Sequence, residues 1–413
     1  MRVLHTSDLH LGSRLFSESP VFRRVFLESL REIAEVATAK SCDYLVVAGD
    51  LFDANTLNRL DTETILSTID VFRELRRAGV RVVVSPGNHD YHLDENGVLE
   101  VFERAELLSK PRVRVGDVIE TKPLELGDLA FVSVPGLKNS AEVDYVGSRR
   151  VRVLGSPSKP TVVVLHSVVD IGGSRVSEIV PRLSGLRSIA WGDVSQLFPQ
   201  ARYFALGHVH FPIPLERRGQ VKAAYPGAPV GYDSNDLLDT FFLRNKGFRR
   251  RVLVVDLDKE PPVYEAVELS NTPDVEYVEL PERVDLATAQ SRLAEAVGRL
   301  KGRWRVVVVS VSKGTDSNIL NRLRSTAERE GVYVYFRTRG VDDAAPFTLP
   351  SIVQVADLIE SEKRLIAQLL PKYGLKLTPE KVQELIDMIS RGAPLDELVE
   401  DVVEAVSGVG QEG

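Results

Sequence analysis

Cysteine is almost absent: Cys42 stands alone in 413 residues. That excludes an internal disulfide and any cysteine-rich zinc or iron–sulfur centre, and it makes a reducing cytoplasmic interior the natural expectation. No apolar run reaches the roughly 18 residues of a membrane-spanning helix. The chain meets a charge at Arg2 and polar groups from His5 to Asp8, so neither a signal peptide nor a membrane association is expected. A basic surplus is missing too. The formal charge is −7, which, taken whole, argues against a phosphate-rich partner.

The distribution of charge changes that reading. Residues 351–413 hold 12 acidic and 6 basic side chains, so the first 350 residues carry only −1 of the total. Between Gln290 and Val341 the balance reverses, with 11 basic residues against 4 acidic ones. A local basic excess sits in a neutral background, either as a solvated face or as a surface for phosphates.

At about 150 residues per domain the length predicts two or three domains. The first, residues 1–248, alternates short β-branched runs with helical stretches, such as strand-like Tyr44 to Ala48, helix-like Asp61 to Arg77 and strand-like Val80 to Val84. This is the pattern of an α/β sheet. The second, residues 249–345, reads as a small α/β module: strand-like Val252 to Leu257, helix-like Leu286 to Leu300, then Val306 to Val311, Ser317 to Glu330 and Val332 to Phe336. The third, residues 346–413, reads as a linker, Pro346 to Pro350, followed by a helical segment. There Val382, Leu385, Ile386 and Ile389 form a stripe behind Thr378 and Pro379, and Leu395 to Val406 repeats the spacing. Such stripes pack on one another or receive a partner protein.

Chemistry gathers at five places in the first segment. Val3-Leu4 leads to His5, Asp8 and His10; Leu45 to Ala48 leads to Asp50 and Asp53; Val82 to Val84 leads to Asn88, His89 and Asp90; Val162 to Leu165 ends at His166; Phe204 to Leu206 leads to His208 and His210. Ligands of α/β sheets collect at the carboxyl ends of strands, so groups distant in sequence are expected to converge. Asp8, His10, Asp50, Asn88, His166, His208 and His210 are seven oxygen or nitrogen donors without sulfur. They suit manganese, iron, magnesium or zinc. Seven donors exceed the needs of one catalytic ion, and two ions sharing a carboxylate would use them all. His89 is free to act on substrate or leaving group, with Asp90 a candidate to orient it. Gly49, Gly87 and Gly207 fit turns where backbone approaches an ion or phosphate. His5 reads mainly as a packed residue, His92 as a group that touches substrate phosphate or faces solvent, and Asp53 as an orienting group.

The ordered set DLH, GDLFD, GNHD, LHS and GHVH resembles the calcineurin-like metallophosphoesterase superfamily over Met1 to about Asp233. More narrowly, LHTSDLHLGSRL, AGDLFDAN, SPGNHDYH, ALGHVH and AAYPGAP resemble the nuclease subunit of the double-strand-break repair complex, the meiotic-recombination-eleven family, SbcD in bacteria. The resemblance implies a four-layer αββα sandwich followed by a DNA-binding cap and a helical arm for a Rad-fifty-type ATPase. It implies hydrolysis of DNA phosphodiester bonds as exonuclease and endonuclease, a homodimer, and two divalent ions with manganese preferred. Asp8, His10 and His210 would hold the first ion, Asn88, His166 and His208 the second, with Asp50 between them. His89 would steady the transition state, and the basic 290–341 region, with Trp304 between Arg303 and Arg305, would face DNA. Asp53 and Asn58-Arg59 depart from the GDLFH plus Pro-Ser pattern of many archaeal and eukaryotic members.

Three rivals differ in what they require. A small-molecule or cyclic-nucleotide phosphoesterase would not need the extra segments. A phosphoprotein phosphatase would carry Arg after GDxVD, where this chain has Ala54-Asn55. A metal-free scaffold would show a broken donor set, and this one is complete.

Overall fold

A computed structural model describes residues 1–92, 97–171, 175–183 and 185–339. These lie in one compact unit spanning Met1–Phe347; a second unit, Thr348–Gly413, falls outside the described residues, as do the linker and both helical stripes read there.

Two sheets carry the fold. The first orders its strands 218–220, 263–268, 251–256, 2–6, 44–48 and 81–85; the second orders them 223–224, 201–207, 161–166, 129–134 and 124–126. Strands Arg2–Thr6, Tyr44–Ala48 and Arg81–Ser85 run parallel, as do Leu129–Val134, Thr161–His166 and Ala201–Gly207. Tyr44–Ala48 is buried along its whole length, which is why it reads as an unbroken apolar run: both faces of a central parallel strand are covered. Leu45 and Val47 face the helical side, while Val46 and Ala48 meet Phe131, Val164 and Tyr203 between the sheets.

Helices close the outer faces. Helix Pro20–Ala39 begins where the Ser19 hydroxyl caps the Phe22 N–H and Pro20 supplies a preset φ. Its Phe22, Val25, Phe26, Leu30 and Ile33 bury one stripe against the first sheet, beside helix Thr62–Arg77. Helices Glu142–Gly147 and Trp191–Leu197 lie on the second sheet through Val146 and Val194. The layers are helix, sheet, sheet, helix, as the motifs imply.

The boundary after residue 248 is where the structure departs from the sequence reading. Arg251–Asp256 pairs antiparallel with Arg2–Thr6, and Val263–Glu268 pairs with Arg251–Asp256, so both strands complete the first sheet. The small module starts at Pro273, with parallel strands Pro273–Glu279, Trp304–Val311 and Val332–Thr338 and helices Leu286–Arg299 and Ser317–Arg329. A β-branched run is equally suited to either sheet, so local pattern alone could not choose between them.

The module is fastened through residues expected to face DNA. Trp304 is buried against Phe22, with ring centroids 5.7 Å apart, and Tyr333 meets Phe16 and Phe22 at 5.0 and 5.3 Å. Arg303 binds both carboxylate oxygens of Glu28, and Arg305 donates to the Glu330 carbonyl. Trp304 and Arg303 therefore hold this module to helix Pro20–Ala39. Lys301, Lys313, Arg322 and Arg329 are exposed and make no ion pair among the described residues, whereas the equally exposed Arg292, Arg299 and Arg303 are bound to a carbonyl or to carboxylates.

Candidate metal centre

The five strand ends converge as parallel topology demands. Asp8 and His10 follow Arg2–Thr6, Asp50 follows Tyr44–Ala48, Asn88 and His89 follow Arg81–Ser85, His166 ends its strand, and His208 and His210 follow Ala201–Gly207. Their backbones turn sharply there. Asp8, His10, Asp50 and His208 adopt φ of 55, 46, 51 and 83°, the left-handed region that side chains with a Cβ avoid. Each such residue costs about 1–3 kcal/mol and persists only where surrounding structure imposes it. The glycines make room for candidate ligands and for the backbone carbonyl behind one of them, rather than for an ion. A Cβ on Gly49 would lie 2.0 Å from His166 Nδ1, one on Gly87 2.1 Å from Asp50 Oδ1, and one on Gly207 1.8 Å from the Ala48 carbonyl.

Hydrogen bonds behind the imidazoles fix which nitrogens face the centre. His166 Nδ1 donates to the Ala48 carbonyl at 2.8 Å, so its Nε2 presents a lone pair when the ring is neutral. That nitrogen faces Asp50 Oδ2 at 3.2 Å and Asn88 Oδ1 at 3.1 Å, and His208 Nδ1 lies 3.1 Å from the same Asn88 oxygen. His210 Nδ1 donates to Asp236 Oδ2 at 2.6 Å. Its Nε2 then faces Asp8 Oδ1 at 3.5 Å and His10 Nε2 at 3.3 Å. Two loci thus gather acceptors against acceptors, and each requires a proton or a cation to be stable. His10 Nδ1 is buried without a hydrogen-bond partner. The donor atoms of Asp8, His10 and His210, and those of Asp8, Asp50 and His166, lie within 4.8 Å of one another. The residues present fit two divalent ions.

The electrostatics agree. Burial works against the charged form of His166, yet the Asp50 and Asp8 carboxylates hold it up to about 10. Burial likewise opposes a charged His210, and Asp236 nevertheless raises it well above its ordinary value. Burial lowers His10 to about 4 and, with the nearby His166 charge, His208 to about 3. For Asp8 the burial cost is outweighed by the His210 hydrogen bond and the His210 and His166 charges, which bring it to about 2. Asp50 is likewise held far below the carboxylate range, because His166 and His10 outweigh its burial.

His89 is half-buried beside the cluster. Its Nδ1 donates to Asp53 Oδ1 at 2.7 Å, and its backbone N–H donates to Asp50 at 2.8 Å. Asp53, not Asp90, orients this imidazole. Asp90 accepts from the backbone N–H groups of Gly87, Leu51 and Phe52 at 2.7, 2.7 and 3.3 Å. It thereby ties the GNHD turn to the GDLFD turn, and burial together with the Asp50 charge holds its carboxyl up at about 7. His5 is a packed residue: it is fully buried, with Nδ1 2.9 Å from the Tyr203 hydroxyl. His92 is half-buried.

Three residues near the centre escaped the sequence reading. Asp236, in the first turn of helix Ser234–Asn245, accepts from His210, the Tyr232 backbone and Arg182. Arg250, fully buried, donates to the His210 and Asp236 carbonyls. The Tyr232 ring lies 4.7 Å from that of His10 and 4.8 Å from that of His89. The stretch Asp233 to Asp236 carries the signal of a helix cap, which Asp233 is; nothing in its spacing marks Asp236 as a partner for a histidine 26 positions upstream.

A model of the calcineurin-like phosphoesterase family matches residues 1–212. Among curated proteins, the chain is 25% identical over 371 residues to the DNA double-strand break repair protein Mre11 of Methanopyrus kandleri, covering 86% of this chain and 76% of that protein. The Archaeoglobus fulgidus protein of the same name is 26% identical over 355 residues, with 82% and 74% covered. The SbcD component of the SbcCD nuclease from Escherichia coli K12 is 27% identical over 258 residues, with 56% and 60% covered. Both levels of the motif resemblance therefore find independent support. Among the described residues no helix is long and apolar enough to cross a membrane.

Proposed function

Given that the chain belongs to the calcineurin-like phosphoesterase family, and so hydrolyses phosphoester bonds, we propose that it is a manganese-dependent DNA nuclease acting in double-strand-break repair with a Rad-fifty-type ATPase and as a homodimer, in the nucleoid-associated cytoplasm. The observation that carries the metal-dependent reading is the pairing of two acceptor loci around His166 and His210, each with its far nitrogen already committed as a donor. Similarity to Mre11 and SbcD proteins over most of the chain supports DNA as substrate.

Asp8, His10 and His210 would hold one ion and Asn88, His166 and His208 the other, with Asp50 shared. Bound there, two divalent ions would lower the pKa of an attacking water and neutralise charge growing on the phosphate. Asp53 holds the His89 ring in place and favours its protonated form against the cost of burial. An imidazolium so placed donates to a phosphate or leaving oxygen.

The test is incubation of purified protein with linear duplex DNA and single-stranded circles, with manganese or chelator, beside a generic phosphodiester ester. Chelator-sensitive cleavage of both DNA and ester is expected. Ester hydrolysis with intact DNA would instead favour the small-molecule or cyclic-nucleotide alternative. His89→Ala should bind manganese but lose about 10²- to 10⁴-fold in rate, and full activity in that variant would remove His89 from the chemistry.

A further inference from the structure

Beside His89 opens a cavity of about 480 Å³, lined by Asp53 and Tyr232 on the phosphoesterase side and by Arg324, Tyr333 and Phe336 of the small module, with the exposed Arg14 contributing from the first loop. Its carboxylates are committed. Asp53 accepts from His89, Glu18 pairs with Arg324 at 3.0 Å, and Asp233 accepts the N–H groups that open helix Ser234–Asn245. Of the cationic groups on its wall, Arg14 is the one left without an ion pair among the described residues, and Tyr232, Tyr333 and Phe336 line the same cavity.

Tyr232 stands at the inner end. Its ring touches both His10 and His89, it is 37% exposed, and its backbone N–H is fixed to Asp236 at 2.7 Å. A rigid, part-exposed aromatic ring next to the reaction centre is a stacking platform, because every nucleobase has a π face whatever its sequence. A base can reach such a ring only after leaving its pairing partner.

We propose that this cavity is a subsite for one unpaired nucleotide flanking the scissile phosphate, its base stacked on Tyr232 and its outer phosphate paired with Arg14. The inference rests on the nuclease reading and specifies its substrate: a strand that is single, or frayed at the cleavage point.

Oligonucleotides carrying one abasic position, moved stepwise across the cleaved bond, test it with manganese present. For wild-type protein, kcat/KM should fall about 5- to 150-fold at one flanking position. In Tyr232→Ala that ratio should collapse to about one, and in Tyr232→Trp it should persist. A 2-aminopurine at the same position should be quenched on binding wild-type protein and not Tyr232→Ala, a readout that does not depend on turnover. Arg14→Gln should flatten the dependence of binding on salt. Equal cleavage of intact and abasic strands by wild-type protein, or an unchanged ratio in Tyr232→Ala, overturns the subsite while leaving the nuclease reading standing. Ester hydrolysis without any DNA cleavage overturns the nuclease reading and the subsite with it.

Discussion

His166 and His210 each point Nε2 inward because Nδ1 is occupied outward, by the Ala48 carbonyl in one ring and the Asp236 carboxylate in the other. Groups behind a ligand set its basicity as well as its direction. Asp236→Asn should weaken one of two manganese-binding events by about 10- to 100-fold and leave the other in place; titration calorimetry reads both, and an unchanged isotherm would rule the residue out. The charge state of His166 sets a second expectation. Its proton, held up to about 10 by Asp50 and Asp8 against burial, competes with a cation at neutral pH. Manganese affinity should therefore rise with pH from 6 towards 10, with protons released on binding, measured in buffers of differing ionisation heat. In the metal-free protein the same raised value contributes stability that is full below about 6.5 and lost as pH climbs through about 10. The convergence of the seven candidate donors was legible, because each follows an apolar run that ends at one edge of a parallel sheet. Asp236 and Tyr232 were not, because they approach the centre only through the folding of a later loop. That Asp53 and not Asp90 orients His89 was hidden for a related reason: His89 and Asp90 are adjacent on a tight turn, and their side chains reach different partners.

Secondary structure was the most legible level. Helix Thr62–Arg77 starts behind Asp61, whose side chain caps the Thr64 N–H, and ends just before Gly79, where φ is 82°. Strand membership was less so, since Arg251–Asp256 belongs to the first sheet and not to the small module. The role of Trp304 was misread because a tryptophan between two arginines looks the same whether it meets bases or a hydrophobic core. Its burial against Phe22 separates the cases by stability. Trp304→Ala should cost about 3–5 kcal/mol in urea unfolding, whereas Arg303→Gln, removing the ion pair between the exposed Arg303 and the half-buried Glu28, should cost only about 1 kcal/mol. A small effect of Trp304→Ala would reopen a surface role. The salt dependence of DNA binding should track Lys301, Lys313, Arg322 and Arg329 instead of Arg303.

At the scale of the whole chain, charge divides into an acidic stretch after Pro350 and a nearly neutral remainder. Deleting residues after Pro350 should abolish association with the ATPase, measured by co-purification, and spare manganese-dependent cleavage of simple esters. Loss of both would mean that the segment supports the nuclease itself. Strand Arg2–Thr6, which delivers Asp8 and His10, has one neighbour at Tyr44–Ala48 and the other at Arg251–Asp256. During synthesis the second neighbour emerges roughly 250 residues after the first strand, so one edge of the growing sheet stays open through most of translation. Cleaving power cannot mature early on the ribosome: His208 and His210 arrive late, and the sheet that steadies their partners arrives later still.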